Sequence, residues 1–318
     1  MKGRRTMKKY LVTAFGEALI DFISTGDGCY RANAGGAPYN LAVCAAKCGV
    51  STAFIGKVGS DSFGDMLRDT AREYGVATEG FVLSDRRPTT HAFVTMGADG
   101  ENSFVFCRDH GADISITRDE LNTDIIKNTT HFHFGGLSLT GEPCKSTLLA
   151  ALETAVRSGA TVSFDPNYRP LLWSSAEDFK AACLSLPVKV DLIKVSENEA
   201  LMLSGKENIK DAATFLLAYA KAVFVTLGEK GVYAATNTLS VEVEGVKADA
   251  VDTTGAGDIF FGTLLSALLL KNGTASVDGI DEATLRIALQ KACTVAAKST
   301  EKAGAIPSIP DAEYMKRL

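Results

Sequence analysis

One stretch, Val251-Asp252-Thr253-Thr254-Gly255-Ala256-Gly257-Asp258, sets an acid after a glycine turn and before an apolar run from Ile259 to Leu270. The apolar run predicts a buried helix. The first turn of a helix carries backbone N–H groups without intrahelical partners. Together with the helix dipole they favour anionic oxygens. Gly255 and Gly257 bear no side chain, so a ligand can approach the main chain closely. Asp258 adds a carboxylate beside that anion site. Amides that hold a phosphate, next to a carboxylate that takes a proton from an attacking hydroxyl, are the parts of phosphoryl transfer. The plainer alternative is a capped turn followed by an acid that only favours the helix start. Two other anion-binding designs are excluded. A Walker P-loop needs a Gly-Lys-Ser/Thr ending, absent here, and the dinucleotide fingerprint needs a third glycine where Phe260 stands.

The elements that must position this turn follow from the hydrophobic pattern. Strands are expected at Tyr10–Phe15, Thr52–Val58, Thr130–Phe134, Thr161–Asp165, Asp191–Val195 and Ala222–Thr226. Helices are expected from Gly35-Gly36-Ala37-Pro38 to about Cys48, and over Phe63–Tyr74, Lys145–Ser158, Glu177–Leu186, Lys210–Ala220 and Asp281–Thr300. Such alternation predicts a mainly parallel sheet covered by helices on both faces, a three-layer α/β/α sandwich. A late antiparallel pair is expected at Gly231–Ala235 and Val241–Val246. The rhythm breaks between Pro88 and Asp113, where Ala92–Met96 and Ser103–Cys107 read as a hairpin turning at Ala98–Asn102. With residues 17–34 it would form a small β lid, spanning roughly 17–34 and 88–112, on a single domain over residues 1–318. Lids of this kind exclude water from reacting groups.

Composition narrows the partners. A net charge of −5 over 318 residues argues against nucleic acid or an anionic membrane as the main partner. The seven scattered cysteines include no Cys-x-x-Cys pair and read as reduced core thiols of a cytoplasmic protein. No signal peptide or membrane span is visible, and Met7 offers an alternative start. His131 and His133 alternate along one strand without a third metal ligand at an obvious spacing, so a packing role near a strand end is expected. Trp173 reads as a packing anchor.

In doubly wound sheets, ligands bind beyond the carboxyl ends of the strands. The polar residues at those ends here are Asp21, Gly35 and Gly36, Asp165–Arg169, Ser196 and Glu199, Thr226–Gly228 and Asp258. Their convergence on one crevice is what an enzyme requires.

The chain resembles the ribokinase-like (PfkB) carbohydrate kinases, and among them the fructokinases. The resemblance is carried by Gly16-Glu17-Ala18-Leu19-Ile20-Asp21-Phe22, Gly35-Gly36-Ala37-Pro38-Tyr39-Asn40, Gly56–Gly64, Asp165–Trp173, Val225–Gly231, Asp252–Asp258 and Gly304-Ala305-Ile306-Pro307, in order along nearly the whole chain. It implies that Asp258 is the general base and that Gly255, Ala256 and Gly257 form the anion hole. It implies that Asp21, Gly35, Gly36 and Asn40 bind sugar hydroxyls, with Arg108 and Arg169 reaching substrate or phosphate. Thr226, Gly228 and Gly231 would hold the nucleotide, with adenine between that loop and the helix containing Lys291. Where the family commonly has Asn-x-x-Glu, this chain has Ser196-Glu197-Asn198-Glu199, so Ser196 and Glu199 would stand near the phosphates. Glu199 would order water on Mg²⁺ rather than ligate it. Asp252, Thr254, Gly304 and Ser308 fall where the family's monovalent-cation (K⁺) site draws its oxygens. The implied activity is ATP-dependent phosphorylation of D-fructose to fructose 6-phosphate. The rivals are a kinase for 2-keto-3-deoxygluconate or another sugar or sugar acid, and a catalytically silent sugar- or nucleotide-binding regulator. The implied partners are the sugar and ATP, with a homodimer through the lids as an open alternative.

Overall fold

The computed structural model describes residues 8–96 and 102–317. The expected alternative start at Met7 and the hairpin turn at 98–101 lie outside the described residues. The strands are β1 (Tyr10–Phe15), β2 (Leu19–Gly26), β3 (Cys29–Gly35), β4 (Thr52–Gly59), β5 (Val76–Ser84), β6 (His91–Met96), β7 (Asn102–Cys107), β8 (Thr129–Gly135), β9 (Thr161–Asp165), β10 (Val190–Ser196), β11 (Ala220–Thr226), β12 (Gly231–Thr236) and β13 (Ser240–Glu244). The helices are α1 (Ala37–Lys47), α2 (Ser62–Glu73), α3 (Thr123–Lys127), α4 (Cys144–Arg157), α5 (Ala176–Leu184), α6 (Glu197–Ser204), α7 (Ile209–Leu216), α8 (Ala256–Asn272), α9 (Glu282–Ser299), α10 (Ala305–Ser308) and α11 (Ala312–Arg317).

Nine strands form one sheet in the order β13-β12-β11-β10-β9-β8-β1-β4-β5. The run from β11 to β5 is parallel, and β12 and β13 close one edge antiparallel. Successive strand residues serve opposite faces, as the pleat requires. Leu192, Ala222 and Phe224 pack with Phe260, Leu264 and Leu289 of α8 and α9. Ile193, Val223 and Phe164 pack with Leu148, Phe179 and Leu216 of α4, α5 and α7. The sheet is therefore the middle of three layers, as the alternation predicts.

A separate four-stranded sheet has the order β3-β2-β6-β7. The expected β6–β7 hairpin is present, and β2 runs parallel to β6 with Ile20 opposite His91. The expected pairing of residues 17–34 with the hairpin is present, as the two strands β2 and β3, whereas β5 was not marked as a strand. The outer residues of all three strands alternate only weakly, since β2 and β3 are half solvated away from the main sheet.

Two helices position the glycine turn. Among the residues of α8, Ile259, Phe260, Phe261, Leu264, Leu265, Leu268 and Leu269 are buried on every side. Each such side chain contributes roughly 1.5–3 kcal/mol on leaving water. The helix ends at Gly273 in the left-handed conformation. Helix α1 lies against it through small residues, and a Cβ on Gly262 would stand 3.0 Å from both Cys44 Cβ and the Leu41 carbonyl. That close approach brings the first turn of α1, with Asn40, to the first turn of α8. His131 and His133 are buried in mid-strand rather than at a strand end. They share Ser163 Oγ at 2.7 and 2.9 Å, and His131 Nδ1 also meets Thr161 Oγ1 at 2.7 Å. Burial pushes the His131 pKa down to about 3, and that of His133 well below its ordinary value, so both are neutral packing groups. Trp173 packs edge-on to Phe179, with ring centroids 5.3 Å apart.

Candidate active site

The glycine turn is held from behind. Gly255 has φ of 77°, and a Cβ there would stand 2.4 Å from Ala305 Cβ. Both oxygens of Asp252 accept main-chain N–H groups, Oδ1 from Thr254 at 2.9 Å and Oδ2 from Gly304 at 2.8 Å. Ser308 Oγ donates to the Ala305 carbonyl at 2.7 Å. The four residues expected at a monovalent-cation site are thus grouped where the C-terminal segment braces the turn. Within the turn, the Ala256 N–H already donates to the Thr253 carbonyl at 3.2 Å. The Ile259 N–H opens the helical ladder on Gly255. Among the described residues, this leaves the N–H groups of Gly257 and Asp258 ahead of the ladder, so Ala256 is the weakest member of the expected anion hole.

Two cavities meet at this turn. One, of about 640 Å³, is lined by Glu17, Asp21, Asn40, Arg169, Lys194 and Asp258 among others, with Thr253, Thr254, Gly255 and Gly257 at its end. The other, of about 280 Å³, is lined by Thr226, Gly228, Gly231, Ala296, Ala297 and again Thr253, Ala256 and Gly257. Thr253 and Gly257 face both, so the turn is a shared wall.

The larger cavity is rich in buried carboxyls. Asn40 Nδ2 donates to Asp258 Oδ2 at 2.8 Å. Burial, reinforced by the Asp165 charge and opposed by Lys194, Asn40 and Arg169, raises the Asp258 pKa to about 7. Burial likewise raises Asp21 to about 7 against the pull of Arg169. Asp21 lies flat on Gly35 of the neighbouring strand, where a Cβ would stand 2.1 Å from Asp21 Oδ2. Only glycine leaves that room. Glu17 caps α1 by accepting the Ala37 N–H at 3.1 Å, and burial raises it to about 7 as well. Arg169 sits 5.2 Å from the centre of the Phe104 ring and donates to the Tyr168 carbonyl at 3.0 Å.

Two expectations need correction. Arg108 is buried away from the cavity: Nε donates to Asp113 Oδ2 at 2.7 Å, Nη1 to Thr140 at 2.7 Å and Nη2 to the Leu137 carbonyl at 3.0 Å. A guanidinium so committed anchors the base of the small sheet. Ser196 and Glu199 form a capping box on α6 and line neither cavity. Ser196 N donates to Glu199 Oε2 at 2.7 Å, and Glu199 Oε1 accepts the Tyr168 N–H at 2.6 Å. The helix containing Lys291 does border the smaller cavity, through Cys293, Ala296 and Ala297, opposite Thr226, Gly228 and Gly231.

Two features went unforeseen. Phe104 and Phe106, stacked 6.0 Å apart on β7, wall the larger cavity from the small sheet. Lys194, in the middle of β10, lies buried with Nζ 2.7 Å from Asp165 Oδ2. A lone lysine inside the apolar run Leu192-Ile193-Lys194-Val195 was the available signal, since a charge there must have a partner.

A doubly wound sheet, a helix-terminal anion turn and two cavities sharing that turn define a phosphotransferase that brings a polyhydroxy acceptor to a nucleotide. A family model described as pfkB family carbohydrate kinase matches residues 9–312, and the chain belongs to that family. It is 40% identical over 320 residues to a probable fructokinase-4 of Arabidopsis thaliana, spanning 98% of this chain and 97% of that protein. A crystal structure of fructokinase with bound ATP from Xylella fastidiosa superposes with a TM-score of 0.87 at 30% identity, over 97% of this chain and 98% of that one. A fructokinase from Vibrio cholerae O395 in a form with bound fructose, ADP and calcium ion superposes with a TM-score of 0.87 at 29% identity, with the same coverage.

Proposed function

We propose that the chain transfers the γ-phosphoryl group of ATP to the primary hydroxyl of a ketose, converting D-fructose to fructose 6-phosphate. The observation that carries this is the shared wall: Thr253 and Gly257 face both cavities, while Asp258 opens only on the larger. The larger cavity takes the sugar and the smaller the nucleotide base and ribose. Asp21, Asn40 and the bare backbone at Gly35 and Gly36 bind hydroxyls, and Asp258 accepts the proton of the attacking one. A base with a pKa near 7 is matched to neutral working conditions. The N–H groups of Gly257 and Asp258, beside the bare backbone at Gly255, hold the moving phosphoryl. Thr226, Gly228 and Gly231 hold the nucleotide. The named relatives, crystallised with ATP or with fructose and ADP, support both ligands.

Mg²⁺ supplies charge neutralisation on the nucleotide phosphates when bound. Both oxygens of Glu199 accept main-chain N–H groups and the residue lines neither cavity, so its part is to hold Tyr168 at the wall of the larger cavity and not to orient metal-bound water. Asp252, Thr254, Gly304 and Ser308 would offer oxygens to K⁺ behind the turn. The small sheet acts as a lid on a single kinase domain, with Phe104 resting on Arg169 as its latch, and two lids pair in a homodimer. Seven free cysteines and the lack, among the described residues, of a helix long and apolar enough to cross a membrane fit a cytoplasmic setting.

The acceptor cavity favours a neutral sugar. Glu17, Asp21 and Asp258 face it, and of the two arginines expected at a sugar acid's carboxylate only Arg169 does. The presence of Arg169 keeps 2-keto-3-deoxygluconate as the second reading. The test is coupled ADP release over ketoses, aldoses and sugar acids. Fructose is expected to give the highest kcat/KM. Activity confined to acids would establish the second reading, and sugar binding without ADP release from any acceptor would leave a silent binding protein.

A further inference from the structure

Lys194 has no part in the chemistry assigned so far, yet it occupies an electrostatically odd place. Its Nζ donates to Asp165 Oδ2 at 2.7 Å, and that carboxylate's other oxygen accepts the Asn167 N–H at 3.2 Å. The same Nζ lies 2.9 Å from where a Cβ on Gly257 would stand, beside the first turn of α8, and Lys194 lines the acceptor cavity. An ammonium and the positive end of a helix dipole repel each other, and burial strengthens that repulsion. The Asp165 carboxylate offsets part of that repulsion, and an anion entering between the ammonium and the turn would offset the rest. Burial works to lower the Lys194 pKa, but Asp165, Glu199 and Asp258 outweigh it and hold the ammonium above its ordinary value. The charge is therefore kept in place whether or not a ligand is bound.

We propose that Lys194 is a catalytic residue whose ammonium, lying over Gly257, contacts an oxygen of the transferring phosphoryl group. The assignment rests on the kinase reading above. In the step, the acceptor hydroxyl gives its proton to Asp258 and its oxygen forms a bond to the γ-phosphorus. The bond from that phosphorus to the β–γ bridging oxygen breaks, and ADP leaves with the electron pair. Lys194 gives up no proton; it offsets the negative charge on the phosphoryl oxygens. Asp165 is its positioning residue.

The experiment compares wild type, Lys194→Met and the double variant Lys194→Met/Asp165→Asn. Wild type is assayed first: no ADP release with any acceptor removes the kinase reading and this assignment with it. With wild type active, Lys194→Met is expected to lose about 10²–10³-fold in kcat with little change in acceptor KM, the size seen when one preorganised donor is removed. The double variant removes the stranded buried carboxylate. If Lys194 only neutralised Asp165, the double variant would regain wild-type kcat, which overturns the proposal; a catalytic role leaves it as slow as the single variant. Calorimetry gives an independent reading if the double variant folds poorly. Lys194→Met should bind the non-hydrolysable β,γ-imido analogue of ATP at least tenfold more weakly while binding ADP as wild type does. Equal loss for the two nucleotides, or no loss, also overturns it.

Discussion

The two cavities on either side of the glycine turn are built from opposite materials. The larger gathers three carboxyls raised to about 7, Glu17, Asp21 and Asp258, together with Lys194 and Arg169. The smaller is walled by Val246, Ala250, Ala256, Phe260, Ala296 and Ala297, with main chain at Gly228 and Gly231. On the proposed reading, the cavity where protons and charge move holds titratable groups whose pKa burial raises. The cavity proposed to hold a flat aromatic base is a mainly apolar slot. The contrast separates turnover from nucleotide capture, and substitutions on each side should show that separation.

The largest effect is expected on the charged side. Asp258→Asn keeps the shape and the contact to Asn40 but removes the base. Turnover should fall by about 10²–10⁴-fold, the range for loss of a general base, while calorimetric sugar affinity changes little. Near-normal turnover would show that the carboxylate is not the proton acceptor and that the two cavities do not divide the work in this way.

A smaller and differently placed effect is expected on the apolar side. Ala297→Phe inserts a ring into a cavity of about 280 Å³. Overpacking of about 1–3 kcal/mol should raise the nucleotide KM roughly tenfold or more and leave the acceptor KM unchanged. Equal rises in both constants would mean that the cavities are coupled through more than the shared turn.

How much of this division was legible in the sequence depends on how far apart the partners lie in the chain. The turn and Asp258 are contiguous, so helix-end physics alone marks them. The polar strand ends converge because a parallel sheet puts all its carboxyl ends on one side, and Asp21, Arg169, Thr226 and Gly228 were named that way, whereas Asn40 came from the resemblance. Contacts between strands were not legible. Lys194 meets Asp165 on the adjacent strand, 29 residues away, and the pattern of one strand does not name its neighbour's side chains. Arg108 was read toward substrate because the partners that hold it, Asp113 and the turn carrying Leu137 and Thr140, come from two segments that the sequence does not join. Ser196 and Glu199 are the reverse case: the Ser-x-x-Glu spacing is itself a capping box, and the local signal was subordinated to the family resemblance. Phe104 and Phe106 read as ordinary strand residues because only the placement of the small sheet turns that face inward.

The smallest expected effect concerns stability, and it tests whether the carboxyls really are dry. Asp258 is held at about 7 against an ordinary value of 3.8, by burial and by Asp165, with Lys194, Asn40 and Arg169 opposing. The folded state therefore binds this proton more tightly than the unfolded state does. The stability so gained is complete below the unfolded value and is lost as pH rises through about 7. Asparagine at this position carries no such cost at high pH. The ligand-free Asp258→Asn variant should gain in Tm relative to wild type between pH 5 and pH 8, by a few degrees. Asp21→Asn should follow the same course, since Asp21 is raised to about 7 by burial. In the charged cavity the wild-type acid limb of kcat/KM for the acceptor should have its midpoint near the same pH, falling toward acid as Asp258 is protonated. A Tm difference that stays flat with pH would mean that solvent reaches these groups, and the contrast between the two cavities would lose its electrostatic basis.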